Sequence, residues 1–260
     1  MSENILRLIR VLEAFADSPA GGVSAADLIA RSGLASSTAY RMIGELEEAG
    51  YVYRAGDRLL RPNFAFERRI AAGVISPGQL WDVCAEISGS LEAAAEVILL
   101  RGQNLLWHLT AEHPQQPIRL RAHPGFVRST YELDSISRLA LAHQPIDKVA
   151  ASWDKSAFFD AGVAKRQIGW VEVAEKLARV DVCAMQYDMA GNAKGVRRFC
   201  VAVSDDAGGL VCLLTVAEAA VPLRDEAAHI ARIEEVLMGA RERLAVALPT
   251  ERAREARSAG

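Results

Sequence analysis

The sequence predicts an α+β protein of two domains: an N-terminal winged helix-turn-helix, a linker helix, and a C-terminal domain of helices around a mostly antiparallel sheet. Three observations carry this. Residues 1–62 hold three helix-patterned segments followed by two short β-rich runs about a turn. From Leu80 onward helical and strand patterns alternate. Finally, 260 residues that are 51% hydrophobic and 24% charged suit two ordinary globular domains and argue against a disordered, collagenous or membrane-embedded chain.

The first element follows from Ile5, Leu8, Ile9, Leu12 and Phe15, which recur at helical spacings of three and four. Ser18-Pro19-Ala20-Gly21-Gly22 ends that helix. Ser24 with Asp27 three residues on predicts a capping box that opens a short helix to about Arg31, closed by Gly33. Ser36 or Ser37 is placed to cap a third helix to about Glu48, with Gly50 at its C′ position. Tyr51-Val52-Tyr53 and Arg58-Leu59-Leu60 then flank Ala55-Gly56-Asp57 as a hairpin wing.

Residues 63–78 are expected to form the linker helix, with Phe64, Phe66, Ile70 and Val74 among charged residues and Ser76-Pro77-Gly78 as its stop. The C-terminal domain is assigned to 79–248. It starts with a helix from Leu80 to about Ala94, then strands Glu96 to Leu100 and Leu105 to Leu109 about Gly102-Gln103-Asn104. Further strands are expected at Ile118 to Arg121, Val182 to Tyr187, Arg198 to Val203 and Leu210 to Ala217. Helices are expected at Ser135 to His143, Trp170 to Ala178 and Asp225 to about Val246. Residues 249–260 are rich in Arg, Glu and Ala and are expected to be a flexible tail.

On the third helix Ala39, Met42, Ile43 and Leu46 form an apolar face, leaving Ser37, Tyr40, Arg41 and Gly44 on another. That second face suits a DNA major groove. Ser36, Ser37 and Thr38 can bond phosphate or base edges, Tyr40 can meet a base methyl or a phosphate, and Arg41 can address guanine or the backbone. Arg54, Arg58 and Arg61 on and beyond the hairpin would reach flanking phosphates or the minor groove. The alternative is a solvated helix face beside an ordinary surface hairpin. Residues 1–62 carry no basic excess and the chain has a net charge of -3, so useful affinity for double-stranded DNA would require a dimer.

Four cysteines, Cys84, Cys183, Cys200 and Cys212, form no C-x-x-C pair and are expected to be reduced and mostly buried. The N-terminus lacks the pattern of a secretory signal, and the apolar stretch Gly208 to Leu223 is interrupted by Glu218 and Pro222. A cytoplasmic location with no membrane partner is expected. The common hydrolase, zinc-protease, P-loop and dinucleotide signatures are missing from the sequence. His108 and His113 lack a helical zinc spacing, and Cys200 and Cys212 fall in apolar runs. No catalytic residue, metal or cofactor is therefore expected.

Ile5-Leu6-Arg7-Leu8-Ile9-Arg10-Val11-Leu12, Ser24-Ala25-Ala26-Asp27-Leu28, Gly33 to Arg41 and Leu46-Glu47-Glu48-Ala49-Gly50-Tyr51-Val52 together resemble the IclR family of bacterial transcriptional regulators. A looser cadence continues in Gly195 to Val203 and Gly209 to Val216. The resemblance implies a GAF-like C-terminal domain that binds a small effector between its sheet and a loop leading into a helix. By that resemblance the effector-binding candidates are Ser129, Thr130, Tyr131, Asp134, Ser135, Tyr187, Asp188, Val196, Arg198, Leu213 and Thr215.

Where family members show a Pro-Leu-His-Ala-Thr-like run, this chain reads Ser129-Thr130-Tyr131-Glu132-Leu133-Asp134. Glu132, Asp134 and Asp188 would then converge near the cavity, although a salt bridge from Arg198 to Asp188 would cancel one of these charges. The convergence favours a neutral or amino-bearing effector over an organic acid. The expected function is an operator-binding regulator, repressor or activator, that acts as a homodimer or tetramer and answers to a metabolite. Two alternatives stand beside it: a DNA-binding protein whose C-terminal domain serves only oligomerisation, and a metabolic enzyme.

Overall fold

The structure is a computed structural model and describes residues 3–16, 22–54, 58–64, 75–116, 120, 122–162 and 164–246. The chain divides into two compact units, Met1–Arg68 and Arg69–Gly260.

In the first unit α1 (Glu3–Ala16), α2 (Ala25–Ser32) and α3 (Ser36–Glu48) precede a hairpin of β1 (Val52–Arg54) and β2 (Leu60–Pro62). Ser24 caps α2 by accepting from the Asp27 amide at 3.1 Å, and its hydroxyl donates to the Asp27 carboxylate at 2.7 Å. The expected side-chain cap on α3 is not formed: Ala35 is the N-cap residue, and both Ser36 and Ser37 lie inside the helix. The turn from Gly33 to Ala35 is too short to place either serine outside the first turn. At the other end Gly50 adopts φ +77°, which lets its amide reach the Glu47 carbonyl and the Tyr51 amide reach that of Leu46. That pair of bonds is a Schellman stop, and it sends the chain directly into the wing.

Val11, Phe15, Leu28, Met42, Ile43 and Leu60 share one core, and each fully buried Leu or Ile contributes about 1.5–3 kcal/mol. A bridge between Val23 and Leu60 fastens the wing to the segment ahead of α2 through bonds of 3.0 and 2.8 Å. Residues 65–74 of the expected linker helix lie outside the described residues, as do 249–260. Phe64, expected in that linker, packs edge-on against Phe15 in this first core.

The second unit opens on α4 (Pro77–Leu91), which Ser76 caps and which begins three residues before the expected Leu80. The Ser76 hydroxyl accepts from the Gln79 amide while the Gln79 side chain accepts from the Ser76 amide. Pro77 costs nothing there, because the first helical position has no use for its missing N–H. Next come β3 (Ala94–Arg101), β4 (Asn104–Ala111), β5 (Val127–Ser129), β6 (Glu132–Leu133), α5 (Ser135–Ala142), α6 (Ile146–Ser152), β7 (Phe159–Asp160), α7 (Trp170–Ala178), β8 (Gln186–Tyr187), β9 (Val196–Ser204), β10 (Leu210–Ala219) and α8 (Glu226–Val246). The central sheet is antiparallel, in the order β5-β4-β3-β10-β9-β8. Of the expected strand Val182 to Tyr187 only Gln186 and Tyr187 pair, because Asp181 turns the chain by accepting from the Cys183 amide. Three residues of the Ile118 to Arg121 candidate lie outside the described residues.

One sheet face packs on α4 and α8 through Val97, Phe199, Val201, Leu214 and Leu237. The other packs on α5 through Ile98, Leu105, Trp107, Ile136, Cys200 and Leu213. A bulge between Val97 and Ile98 turns β4 over, so Trp107 joins the α5 face while Ala111 joins the other. No helix among the described residues is long and apolar enough to cross a membrane.

Candidate nucleic-acid interface and effector site

On α3 the sequence pattern becomes two faces. Ala39, Met42, Ile43 and Leu46 are buried, while Ser36, Ser37, Tyr40, Arg41 and Gly44 are exposed and Thr38 is half-buried. Tyr40 is 52% exposed, a high value for an aromatic residue with no packing role. The Arg41 guanidinium lies along the helix and meets Glu45 at 2.6 Å. Arg54 on β1 reaches back to Glu47 of α3 at 2.8 Å, so wing and helix are held together by charge as well as by the core.

Arg58 is exposed at φ +63°, a left-handed backbone that costs a non-glycine residue about 1–2 kcal/mol. Arg61 is half-buried and sits opposite Tyr53 in the hairpin. Tyr51 and Tyr53, both more than half exposed, and Glu45 were not singled out by the sequence reading. Strand alternation about the buried Val52 could have flagged the two tyrosines.

The second site forms where β5, β6 and the start of α5 meet the sheet. Asp134 is the N-cap of α5 and accepts from the Ser137 amide at 3.0 Å. Arg128 grips both its oxygens at 2.7 and 2.9 Å and also reaches Glu132 at 3.3 Å. Burial pushes the Asp134 carboxyl up, but the Arg128 charge and the bonds from Arg128 and Ser137 outweigh it and hold the group below its ordinary value.

Asp188 occupies the next α5 amide, accepting from Ser135 at 2.5 Å, and pairs with Arg138 at 2.8 Å. The Arg198–Asp188 salt bridge is not formed. Arg198 is drawn instead to Glu96, fully buried on β3 two strands away, at 2.9 and 3.3 Å, and Thr215 of the intervening β10 donates to the same carboxylate at 3.0 Å. The Arg128 and Arg198 guanidinium carbons both lie over Trp107, at 5.7 and 5.6 Å from its ring centre.

Of the expected effector residues, Asp134, Ser135, Asp188, Val196 and Arg198 line one cavity of about 10 Å³, enough for a single water. Gly191 closes its side, and a Cβ there would stand 2.6 Å from Ala220. The remaining candidates are placed elsewhere. Ser129 lies in the β5 edge strand. The Thr130 hydroxyl is spent on the Gln103 carbonyl and on the Trp153 indole, and Tyr131 bonds Gln103 and packs against Phe158. Leu213 is in the core beneath α5. Tyr187 stacks on Phe199, on the opposite sheet face.

Glu96, Trp107 and Arg138 were not among the expected residues. A lone charge inside Ala94-Ala95-Glu96-Val97-Ile98-Leu99-Leu100 was the available signal for the first. Burial pushes the Cys84 and Cys212 thiols to about 12 and Cys200 higher still, which keeps all three protonated and unreactive.

Residues 5–56 match the IclR helix-turn-helix domain. No curated protein matches the chain. Among solved structures, IclR from Thermotoga maritima aligns at TM-score 0.54 and 18% identity, over 92% of this chain and 96% of that one. An IclR homologue from Microbacterium hydrocarbonoxydans, complexed with 4-hydroxybenzoate, aligns at 0.53 and 17%, over 95% and 99%. An IclR transcriptional regulator from Alicyclobacillus acidocaldarius aligns at 0.55 and 13%, over 95% and 99%. At these identities the likeness is one of fold. The matching family and structures are those of transcription regulators and not of enzymes.

Proposed function

We infer that this chain, whose residues 5–56 belong to the IclR helix-turn-helix domain family and whose fold is that of the IclR regulators, reads operator DNA through the outer face of α3 and adjusts that binding to a small molecule. The observation that carries this is the exposed row of Ser37, Tyr40, Arg41 and Gly44 beside a wing tied to the same helix. Ser36 and Thr38 stand at the start of the helix, where backbone amides favour phosphate. Arg54, Arg58 and Arg61 extend the contact along the flanking backbone. Without a basic excess one domain binds weakly, so two copies on a two-fold operator give the required affinity. Anisotropy titration of the purified chain against DNA flanking its own gene, with a scrambled duplex as control, tests this.

For the second unit the cluster at the start of α5 supports a ligand without net negative charge. Among the described residues Glu96, Glu132, Asp134 and Asp188 pair with Arg128, Arg138 and Arg198, four negative charges against three positive, while Arg197, which also lines the cavity, is taken up by Glu218. An organic acid would add a fifth carboxylate where the Ser135 and Ser137 amides are already taken. A ligand larger than water must also open an ion pair, and Arg138–Asp188 is the most exposed of them. The nearly filled cavity favours one alternative, in which the second unit serves only oligomerisation. Calorimetry against a metabolite library separates the two readings: saturable binding that changes operator affinity supports the first.

A further inference from the structure

A second cavity, of about 130 Å³, lies at the same end of the sheet as the first, and Arg197 lines both. It exists because β3 stops early. β10 pairs with β3 only as far as Ala217 opposite Ala94, yet it continues beside β9 through Glu218 and Ala219. The space that β3 would have filled is bounded by Leu91 at the end of α4, by Ala219, and by Val221 and Leu223 of the loop after β10.

The polar groups at this cavity are mostly acceptors. Arg197 is 4% exposed and already committed, its Nε to Glu218 Oε1 and its Nη1 to the Val221 carbonyl at 3.0 Å. His229 meets the same Glu218 oxygen, Oε1, at 2.8 Å. The Gln116 amide oxygen lines the cavity, buried and without a hydrogen-bond donor among the described residues. Glu92 adds a second carboxylate to the rim. Two carboxylates and an orphan carbonyl thus face one cation that is already engaged.

We propose that this cavity is a second small-molecule site and that it takes a short apolar amine. The ammonium would serve the Gln116 and Glu218 oxygens and offset the excess negative charge, while the alkyl part would lie against Leu91, Ala219, Val221 and Leu223. A cavity of about 150 Å³ holds benzene, which bounds the ligand at about six heavy atoms. A carboxylate of the same size would bring a third negative charge to the site. This inference does not rest on the reading given above for the cluster at α5 or for DNA binding, although Arg197 borders both cavities.

Calorimetry of the full chain at neutral pH with n-butylamine, n-butanol and butyrate tests the proposal. Saturable binding of n-butylamine at least tenfold tighter than butyrate is expected. Ala219→Leu, which fills the cavity, should weaken n-butylamine at least tenfold with an unchanged circular dichroism spectrum. Glu92→Gln, at an exposed position, should cut the preference of amine over butyrate severalfold and keeps the test open if the cavity-filling variant does not fold. Equal or tighter binding of butyrate, no saturable binding of n-butylamine, unaltered binding in a folded Ala219→Leu, or an unaltered preference in Glu92→Gln would overturn it.

Discussion

Arg128 holds Asp134 through both terminal nitrogens, at 2.7 and 2.9 Å, and the same carboxylate caps α5. One buried ion pair thereby fixes the segment from β5 to the start of α5, which carries Ser129, Thr130, Tyr131, Asp134 and Ser135 of the expected effector residues. Removing one partner strands the other in a low-dielectric site.

Asp134→Asn should therefore cost about 3–5 kcal/mol, the usual penalty for breaking a buried pair. The pH dependence has a definite sign. The carboxyl is held below its ordinary value of 3.8 in the folded protein, so its stabilisation is complete above that value and is lost as the pH falls through the lower folded value. Urea unfolding should show a wide gap between wild type and Asp134→Asn at neutral pH that narrows on acidification below 3.8. A gap independent of pH would assign the loss to packing alone.

Asp188→Asn addresses the effector reading. The carboxylate joins the Ser135 amide to Arg138 in the second unit, far along the chain from α3. The variant should lose most of a library ligand's effect on operator binding while its ligand-free operator affinity stays nearly unchanged. Anisotropy titrations with and without the ligand measure both. A full ligand response in the variant would remove Asp188 from the site.

Arg58 poses a trade between stability and contact. Its left-handed backbone suits glycine, so Arg58→Gly should raise stability by up to about 1 kcal/mol. If the side chain meets phosphate, the same change should weaken all DNA sequences alike and flatten the salt slope by about one unit per monomer. Denaturant melts and salt titrations on one preparation show whether the two effects part in this way.

The organisation of the first unit was legible because local rules decide it. Ser24 with Asp27, Gly33, and Gly50 before Val52 act on their nearest neighbours, and the structure uses all of them. The α3 faces followed from spacing alone. Ser76-Pro77-Gly78, expected as the stop of the linker helix, also opens α4, and the returning Gln79 side chain marks that start.

The pairing of Arg198 was not legible, because Glu96 lies 102 positions away and meets it only through sheet register. Thr130 and Tyr131 were assigned to a ligand when long-range partners, Trp153 and Gln103, consume their polar groups. The turn at Asp181 cut short a strand that β-propensity alone would have extended.

Glu45 bears on the resting state of the reading helix. Its carboxylate ties Arg41 at 2.6 Å on an exposed face. Glu45→Gln should leave α3 only about 0.3–0.5 kcal/mol less stable and should tighten DNA binding severalfold, by freeing Arg41 and removing a charge that repels phosphate. Weaker specific binding would instead show that Glu45 itself reads a base.

Arg41→Ala tests the central claim most directly, in anisotropy titrations against operator DNA and single-base-pair variants at several salt concentrations. Arg41 lies on an exposed face, so the substitution leaves the core intact. The expected result is a loss of about 1–3 kcal/mol in specific binding and of selectivity at one base pair per half-site, with an unchanged circular dichroism spectrum. Unchanged affinity together with unchanged selectivity would contradict the assignment of this face of α3 to the DNA groove.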